Sequence, residues 1–310
     1  VKIVEHKDAL AANDTATLAI HEMNTGIMAA PTAWLRGALA RLSPKNAQGE
    51  LYLTDVIAMA TVDGLTVATA QPESEVEIAG INDKAQLAAL ERKVQLKEAN
   101  KLMDAGVTLA DPARIDVRGT LSCGSDVFID VGCVFIGDVS LGDNVSVGPN
   151  CVLTNAAIGA NSVVHAMSHL EGCAVGDGVL IGPFARLRPG AKLGDEVHIG
   201  NFVEVKNSTL AKGAKANHLA YLGDATVGER VNYGAGSITA NYDGANKHKT
   251  VIEADVHVGS NCVLVAPVTI GTGGTVAGGS TITKDAPPGA LSVARGKQVS
   301  IANWKRPKKS

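Results

Sequence analysis

The sequence predicts a mainly β protein, a parallel β-helix of hexapeptide repeats preceded by a long helix and an incomplete α/β region. Three observations predict it. The first is a period of six. Stepping from Leu141 gives Val147, Leu153, Ile158, Val164, Leu170, Val175, Ile181, Leu187, Leu193, Ile199, Val205, Leu210, Ala216, Leu222, Val227, Tyr233 and Thr239. After a gap the series resumes at Ile252, Val258, Leu264, Ile270, Val276 and Ile282, so that 21 of 24 positions are Val, Ile or Leu. The second is a small residue at the fifth place of each hexad, for example Cys151, Ala157, Ser162, Ala174, Ala185, Thr209 and Thr226, with glycine often second, as in LGDN, IGAN and VGSN. The third is composition: 34 glycines in 310 residues, against 3% aromatics.

These fit one geometry. Each hexad is a short strand plus a turn, and three hexads wrap one coil of 18 residues. Coils stack about 4.8 Å apart, so equivalent positions form columns. The branched residue fills the interior, the small one fits where walls crowd, and glycine permits the turn. No aromatic ring is expected to fit such a bore. Four steps of five residues mark local distortions, and 239–252 marks an excursion loop.

The elements ahead of the repeat read differently. VKIVEHKDA (1–9) reads as a strand already under way, and the chain, which begins at Val1, is expected to be the remainder of something longer. Residues 27–41 and 50–62 carry helical apolar spacing, and LTVATAQ (65–71) reads as a strand. A long helix is expected over 83–105, with Leu87, Leu90 and Val94 on one face, Asp83 as N-cap and Gly106 as its stop. The expected division is 1–84, a linker helix over 85–105, and the β-helix with its tail over 106–310.

Charge excludes several classes. With 28 basic and 31 acidic residues, net -3, there is no field for nucleic acid or an anionic membrane. No apolar run approaches the roughly 20 residues of a membrane span, and no signal peptide is expected before the first element. The five cysteines (Cys123, Cys133, Cys151, Cys173, Cys262) show no CxxC, which argues against a disulfide framework or a cysteine zinc site and for a reducing cytoplasm. Cys133, Cys151 and Cys262 fall in small-residue slots and are read as packing.

Several candidate residues follow from the columns. Arg188 and Lys206 each follow a branched interior residue 18 positions apart, so they stack one strand spacing apart. Two such cations repel unless an anion lies between them, and a guanidinium beside an ammonium suits a sugar phosphate. His218 stands among small residues, with the titration range of a general base. Glu204 could orient an amine or the imidazole, or remain an exposed carboxylate.

The motifs RLRPGA (186–191), NFVEVKN (201–207), NHLAYLGD (217–224), VNYGAGSITANYDGANKHKT (231–250) and GSNCVLVAPV (259–268) resemble the left-handed β-helix acyltransferases. Among these they resemble the acetyltransferase domain of the bacterial bifunctional glucosamine-1-phosphate acetyltransferase / N-acetylglucosamine-1-phosphate uridyltransferase family. EHKDA (5–9), EMNTG (22–26), NAQGELYLTD (46–55) and GIND (80–83) resemble the end of its uridyltransferase domain. The resemblance implies a left-handed coil, a homotrimer with sites between neighbours, acetyl-CoA as co-substrate, and a Rossmann-like uridyltransferase remnant over 1–84. It assigns His218 as general base, and Arg188, Lys206, Tyr221 and Asn232 to glucosamine-1-phosphate. Ala235, Asn241, Tyr242, Ser260, Gly278 and Arg295 go to acetyl-CoA, with Gly278 standing where the family more often has alanine.

The loop bearing Lys247, His248 and Lys249 is expected to reach a neighbouring subunit's site. Trp304 and the tail KRPKK either join the CoA wall or stay loose. Glu5, Asn24 and Asn82 match UDP-N-acetylglucosamine contacts, with Asn82 also a Mg²⁺ ligand. The family's glycine-rich loop, LAAGxGTRM, and the acidic ligand after it are absent, so uridyl transfer is expected to be lost or incomplete. Two rivals remain open at this stage. One is a β-helix zinc hydratase using histidines such as His165, His169, His198, His218 and His257; the other is a non-catalytic prism.

Overall fold

The structure is a computed structural model that describes residues 1–46 and 48–307, the side chain of Glu75 excepted. It falls into two compact units, Val1–Leu90 and Glu91–Ser310.

The second unit is the β-helix. Its short strands pair in parallel throughout, from Thr108–Leu109 to Leu291–Ser292. Eleven strands form one sheet and 17 another, the latter joined across a corner by the nine-residue strands Ile115–Cys123 and Cys133–Leu141. Successive coils stand 18 residues apart where all three steps are six, as at Leu180↔His198. They stand 17 apart where one step is five, as at Ser146↔Val163. All 24 positions of the apolar series are buried, the most exposed being Val175 at 7%. Each large aliphatic side chain so buried contributes about 1.5–3 kcal/mol.

Five details differ from the sequence reading. At the five-residue steps the fifth residue (Ala157, Ala174, Thr209, Thr226) is exposed, and the buried small residue is Ala156, Cys173, Ser208 or Ala225. The slot is fixed by the strand, not by counting from the previous hexad. It lies two residues before the interior position, and residues i and i+2 of a strand share a face. Cys173 therefore packs inside with Cys133, Cys151 and Cys262.

The second-place glycines are required for a different reason than turning. A Cβ on Gly142 would meet the Ala160 nitrogen at 2.7 Å, and one on Gly200 the Asn217 oxygen at 1.9 Å. They let neighbouring coils approach. The left-handed backbone falls two residues later, at Asn144, Asn150, Asn161 and Asn261. Asparagine tolerates that conformation better than most residues do.

The bore also admits rings. Phe135 is 1% and Tyr233 3% exposed. Tyr233 pairs in register with Ala216, whose missing side-chain volume makes room for the phenol.

Helices α1 (His6–Ala11), α2 (Thr15–Leu18), α3 (Thr32–Leu39) and α4 (Asp55–Val62) form the first unit, with α5 (Lys84–Asp104) running from it into the second. No strand forms at 1–9 or 65–71, contrary to expectation, and no strand occurs among the described residues of the first unit. A lone extended segment has no ladder to satisfy its backbone groups.

Helix α5 begins as predicted, Asp83 accepting from the Gln86 N–H at 2.7 Å, and ends at Gly106 with φ +96°. Its buried face differs from the predicted one: Leu87 and Val94 are exposed, whereas Gln95 and Ala99 are buried. Gln95 explains this, since its Nε2 donates to the Val117 oxygen at 2.9 Å and its Oε1 accepts from the Val117 N–H at 2.7 Å. The helix's second half thereby covers an edge strand that would otherwise stand unpaired.

Candidate active site

His218 ends the strand Lys215–His218, one residue before the left-handed corner residue Leu219 (φ +49°). Its Nδ1 lies 3.0 Å from Asn201 Oδ1, one coil below in register. With the amide oxygen so placed, Nδ1 carries the proton and donates it, which leaves Nε2 as a free acceptor facing solvent. The corner repeats upward. Hydrogen bonds link Gly236 N–H to His218 O, Asn261 N–H to Ala235 O, and Gly279 N–H to Ser260 O. His218, Ala235, Ser260 and Gly278 thus occupy one column, and Arg295 Nη1 donates to Gly278 O at 2.8 Å at its far end. Four predicted residues and the guanidinium line one edge.

The face beyond that corner carries the cations. Arg186–Leu187, Glu204–Lys206 and Tyr221–Gly223 are successive strands, and Arg188 follows the first. The cations stack as expected, but the structure already pairs each with a carboxylate. Arg188 Nη1 meets Glu204 Oε1 at 2.8 Å, and Lys206 Nζ stands 3.6 Å from Asp224 Oδ2. Glu204 raises the Arg188 pKa and is bonded to that guanidinium rather than to His218. The Lys247 nitrogen, as acceptor of a hydrogen bond from Lys206, and then the Asp224 charge hold Lys206 above the ordinary ammonium range, and the same contact pushes Lys247 below it.

Tyr221 leans along its strand over Gly223: a Cβ there would lie 2.3 Å from the phenol oxygen. Asn232 lies on the 11-stranded sheet and so is separated from Arg188, Lys206 and Tyr221 by the corner.

Asn241 and Tyr242 sit at the next corner. Asn241 is 8% exposed, and its Nδ2 donates to Asp224. Beyond it the excursion folds back through a Tyr242↔Lys247 bridge, tightened by His248 Nε2 against Asp243 Oδ2 at 2.7 Å. The backbone N–H of Asn246, with His248 and the Ala245 N–H, holds the Asp243 carboxyl well below the usual range. Three contributors escaped sequence reasoning: Asn201, Asn207 and Asp224. Their signal was positional, one coil from a suspected residue or at a shortened corner.

The family model "Bacterial transferase hexapeptide (six repeats)" matches residues 122–155 and 172–207, and "Hexapeptide repeat of succinyl-transferase" matches 249–284. Proteins named "Bifunctional protein GlmU" match almost end to end on this side. That of Methylibium petroleiphilum is 67% identical over 307 residues, covering 99% of this chain and 66% of its own. That of Polaromonas sp. (strain JS666) is 69% identical, covering 99% and 64%, and that of Paracidovorax citrulli 64% identical, covering 99% and 67%. The chain belongs to the GlmU family.

It spans about two thirds of the length of these relatives. The residues expected in the first unit are each bonded to other groups of that unit. Glu5 Oε1 accepts from Thr54 Oγ1 at 2.9 Å, Asn24 Oδ1 from the Gly26 N–H, and the Asn82 N–H donates to Gln86. No hydrogen bond or ion pair joins the three. Among the described residues no three His, Cys, Asp or Glu side chains converge to hold a metal, and Mg²⁺ prefers carboxylates beside an amide such as that of Asn82. No described helix is long and apolar enough to cross a membrane. Trp304 is exposed, and Lys308 and Lys309 of the basic tail lie outside the described residues, as does Ala47 of the NAQGELYLTD motif.

Proposed function

We propose that the β-helix, residues 106–310, transfers the acetyl group of acetyl-CoA to the amine of glucosamine-1-phosphate, giving N-acetylglucosamine-1-phosphate. The carrying observation is the oriented imidazole at the head of the His218–Ala235–Ser260–Gly278 column. Nitrogen attacks the thioester carbonyl, the C–N bond forms, and the C–S bond breaks. His218 Nε2 takes the proton that the nitrogen sheds and returns it to the departing thiolate. Arg188 and Lys206 hold the sugar phosphate, loosening their carboxylate pairs to do so; the Arg188–Glu204 pair is part-exposed and weak enough to yield. Tyr221 and Asn232 orient the sugar. Ala235, Ser260, Gly278 and Arg295 line the acyl-CoA track, and Asn241 and Tyr242 face it from the loop.

The working unit is a left-handed homotrimer in this reading, and two observations support it. The proposed residues divide between two corners and two faces of one chain, so a neighbour is needed to complete a site. Along the His218 corner, Met167, Phe184, Phe202 and Leu219 form an apolar ridge, 49–61% exposed and all at positive φ. Phe184 and Phe202 stack at 5.2 Å. Bulky residues in that backbone region cost about 1–3 kcal/mol each; a subunit contact would offset this. Residues 1–84 are read as part of a uridyltransferase domain, with 85–105 as linker. The Mg²⁺ site does not assemble from the residues present, so no uridyl-transfer step is assigned to them.

The test is thiol release from acetyl-CoA in the presence of glucosamine-1-phosphate. The chain should be active, and His218→Ala should lose about 10²–10⁴-fold. Undiminished activity in the variant would remove His218 as the base, and an inactive parent would remove the transfer itself.

A further inference from the structure

Three side chains with different tasks converge on one carboxylate. Asp224 lies where the repeat is a residue short, at φ +50°, and is only 8% exposed. Its Oδ1 accepts from Asn207 Nδ2 at 2.5 Å, its Oδ2 accepts from Asn241 Nδ2, and Lys206 Nζ stands 3.6 Å from Oδ2. Its backbone is committed too: the N–H donates to Lys206 O at 3.1 Å, and the carbonyl accepts from the Thr250 N–H at 3.3 Å. Asp224 therefore grips the 241–249 excursion at both ends, by side chain where it leaves and by carbonyl where it returns. An ionised carboxylate this buried is costly unless bonded. Burial raises its pKa, but the amides of Asn207 and Asn241 and the charges of Lys206 and Lys247 more than offset that, and the carboxyl stays below its usual range.

We propose that Asp224 is a positioning residue that couples the two substrate sites, fixing Lys206 on the sugar-phosphate side and Asn241, with the loop behind it, on the acyl-CoA side. The identity of the two ligands rests on the acetyl-transfer reading; the anchoring does not. An anion that draws Lys206 outward takes a cation from Asp224, which then leans harder on its amide donors, Asn241 among them. Occupying the phosphate side thus firms the loop, and by linkage a ligand that firms the loop tightens the phosphate side by the same factor.

Asp224→Asn keeps the shape but turns one amide donor against another. Made in the full chain, it should raise KM for both glucosamine-1-phosphate and acetyl-CoA by about tenfold, the scale of one charged hydrogen bond, with a smaller change in kcat. Amide exchange at His248 and Thr250 should quicken by a similar factor, while Leu180 and His198, remote in the 11-stranded sheet, are unchanged. A rise in one KM alone, or unchanged exchange in the loop, would overturn the coupling. If the variant does not fold, the unaltered chain still decides. Saturating inorganic phosphate should slow exchange at His248 and Thr250, and no slowing refutes the link. If the parent transfers no acetyl group, the transfer reading fails while the exchange measurements still judge the anchor.

Discussion

The two units of this chain hold themselves together in opposite ways. In the β-helix each coil hydrogen-bonds to the next in parallel register and adds its own branched residues to a continuous interior, from Ile115 to Ala286. Every contact that matters is about one coil away, as in other repeat folds. Among the described residues of Val1–Leu90 the buried apolar ones are Ala9, Ala38, Val56 and Ala60, whereas Ile20, Met23, Ile27, Leu51 and Val62 are exposed. Four small buried side chains set little against the backbone entropy of ordering that many residues. A repeated local rule stabilises a long element; scattered helices with so small a core are held only weakly.

The largest expected difference between the units is mechanical. Leu153, fully buried between Phe135 and Leu170, should cost about 2–5 kcal/mol when changed to Ala, with the β-helix transition falling by on the order of 10 °C. Val56→Ala should move only a separate, lower transition belonging to the first unit. Differential scanning calorimetry reads both. One shared transition displaced equally by the two variants would abolish the contrast.

That contrast also explains what the sequence disclosed. The interior column was legible residue by residue because a period of six repeats the same instruction more than twenty times. The small-residue slots were legible except at shortened steps such as Leu153 to Ile158, where counting lost the strand's two-residue spacing. His218 was singled out by its place among small residues and by the family resemblance, whereas Arg188 and Lys206 could be placed because stacking turns sequence separation into distance. Asn201 and Asp224 could not, since an asparagine or aspartate at a corner carries the same signal as the purely structural Asn144 or Asn161. In the first unit VKIV and LTVATAQ carried real strand propensity, but propensity without a pairing partner builds nothing.

Within the β-helix the next effect is local to the site. Gly223 has no left-handed φ, so alanine suits its backbone; the obstacle is the Tyr221 phenol, 2.3 Å from the added carbon. Gly223→Ala should displace the ring and raise KM for glucosamine-1-phosphate about tenfold, as expected for losing a hydrogen bond to a charged ligand. The melting temperature should barely change. Unaltered kinetics would mean that the ring's place over Gly223 does not matter to the sugar.

The interior offers a test in the stabilising direction. The Tyr233 hydroxyl is buried without a hydrogen-bond partner, and burial pushes its pKa strongly upward. Tyr233→Phe keeps the ring that fills the space over Ala216 and removes the orphaned group. It should raise stability by about 1 kcal/mol. A loss of stability would show that the hydroxyl has a partner in solution.

The smallest effect separates the units by pH. His198 has its pKa lowered, by burial and then by Lys215, the next residue of its column. Between the unfolded value near 6.5 and the lower folded one, the unfolded chain binds the extra proton, so folding stability falls as pH drops. The lowered carboxylates of both units, Asp224 and Asp116 in the β-helix and Asp14 and Asp63 in the first, act at more acid pH. Their contribution is complete above about 4 and is lost as pH falls through their folded values. The β-helix transition should therefore begin to decline below pH 6.5, ahead of the carboxylate-driven fall common to both units. His198→Gln should remove that early slope and leave the acid limb intact. An early slope that persists in the variant would place its origin in another group.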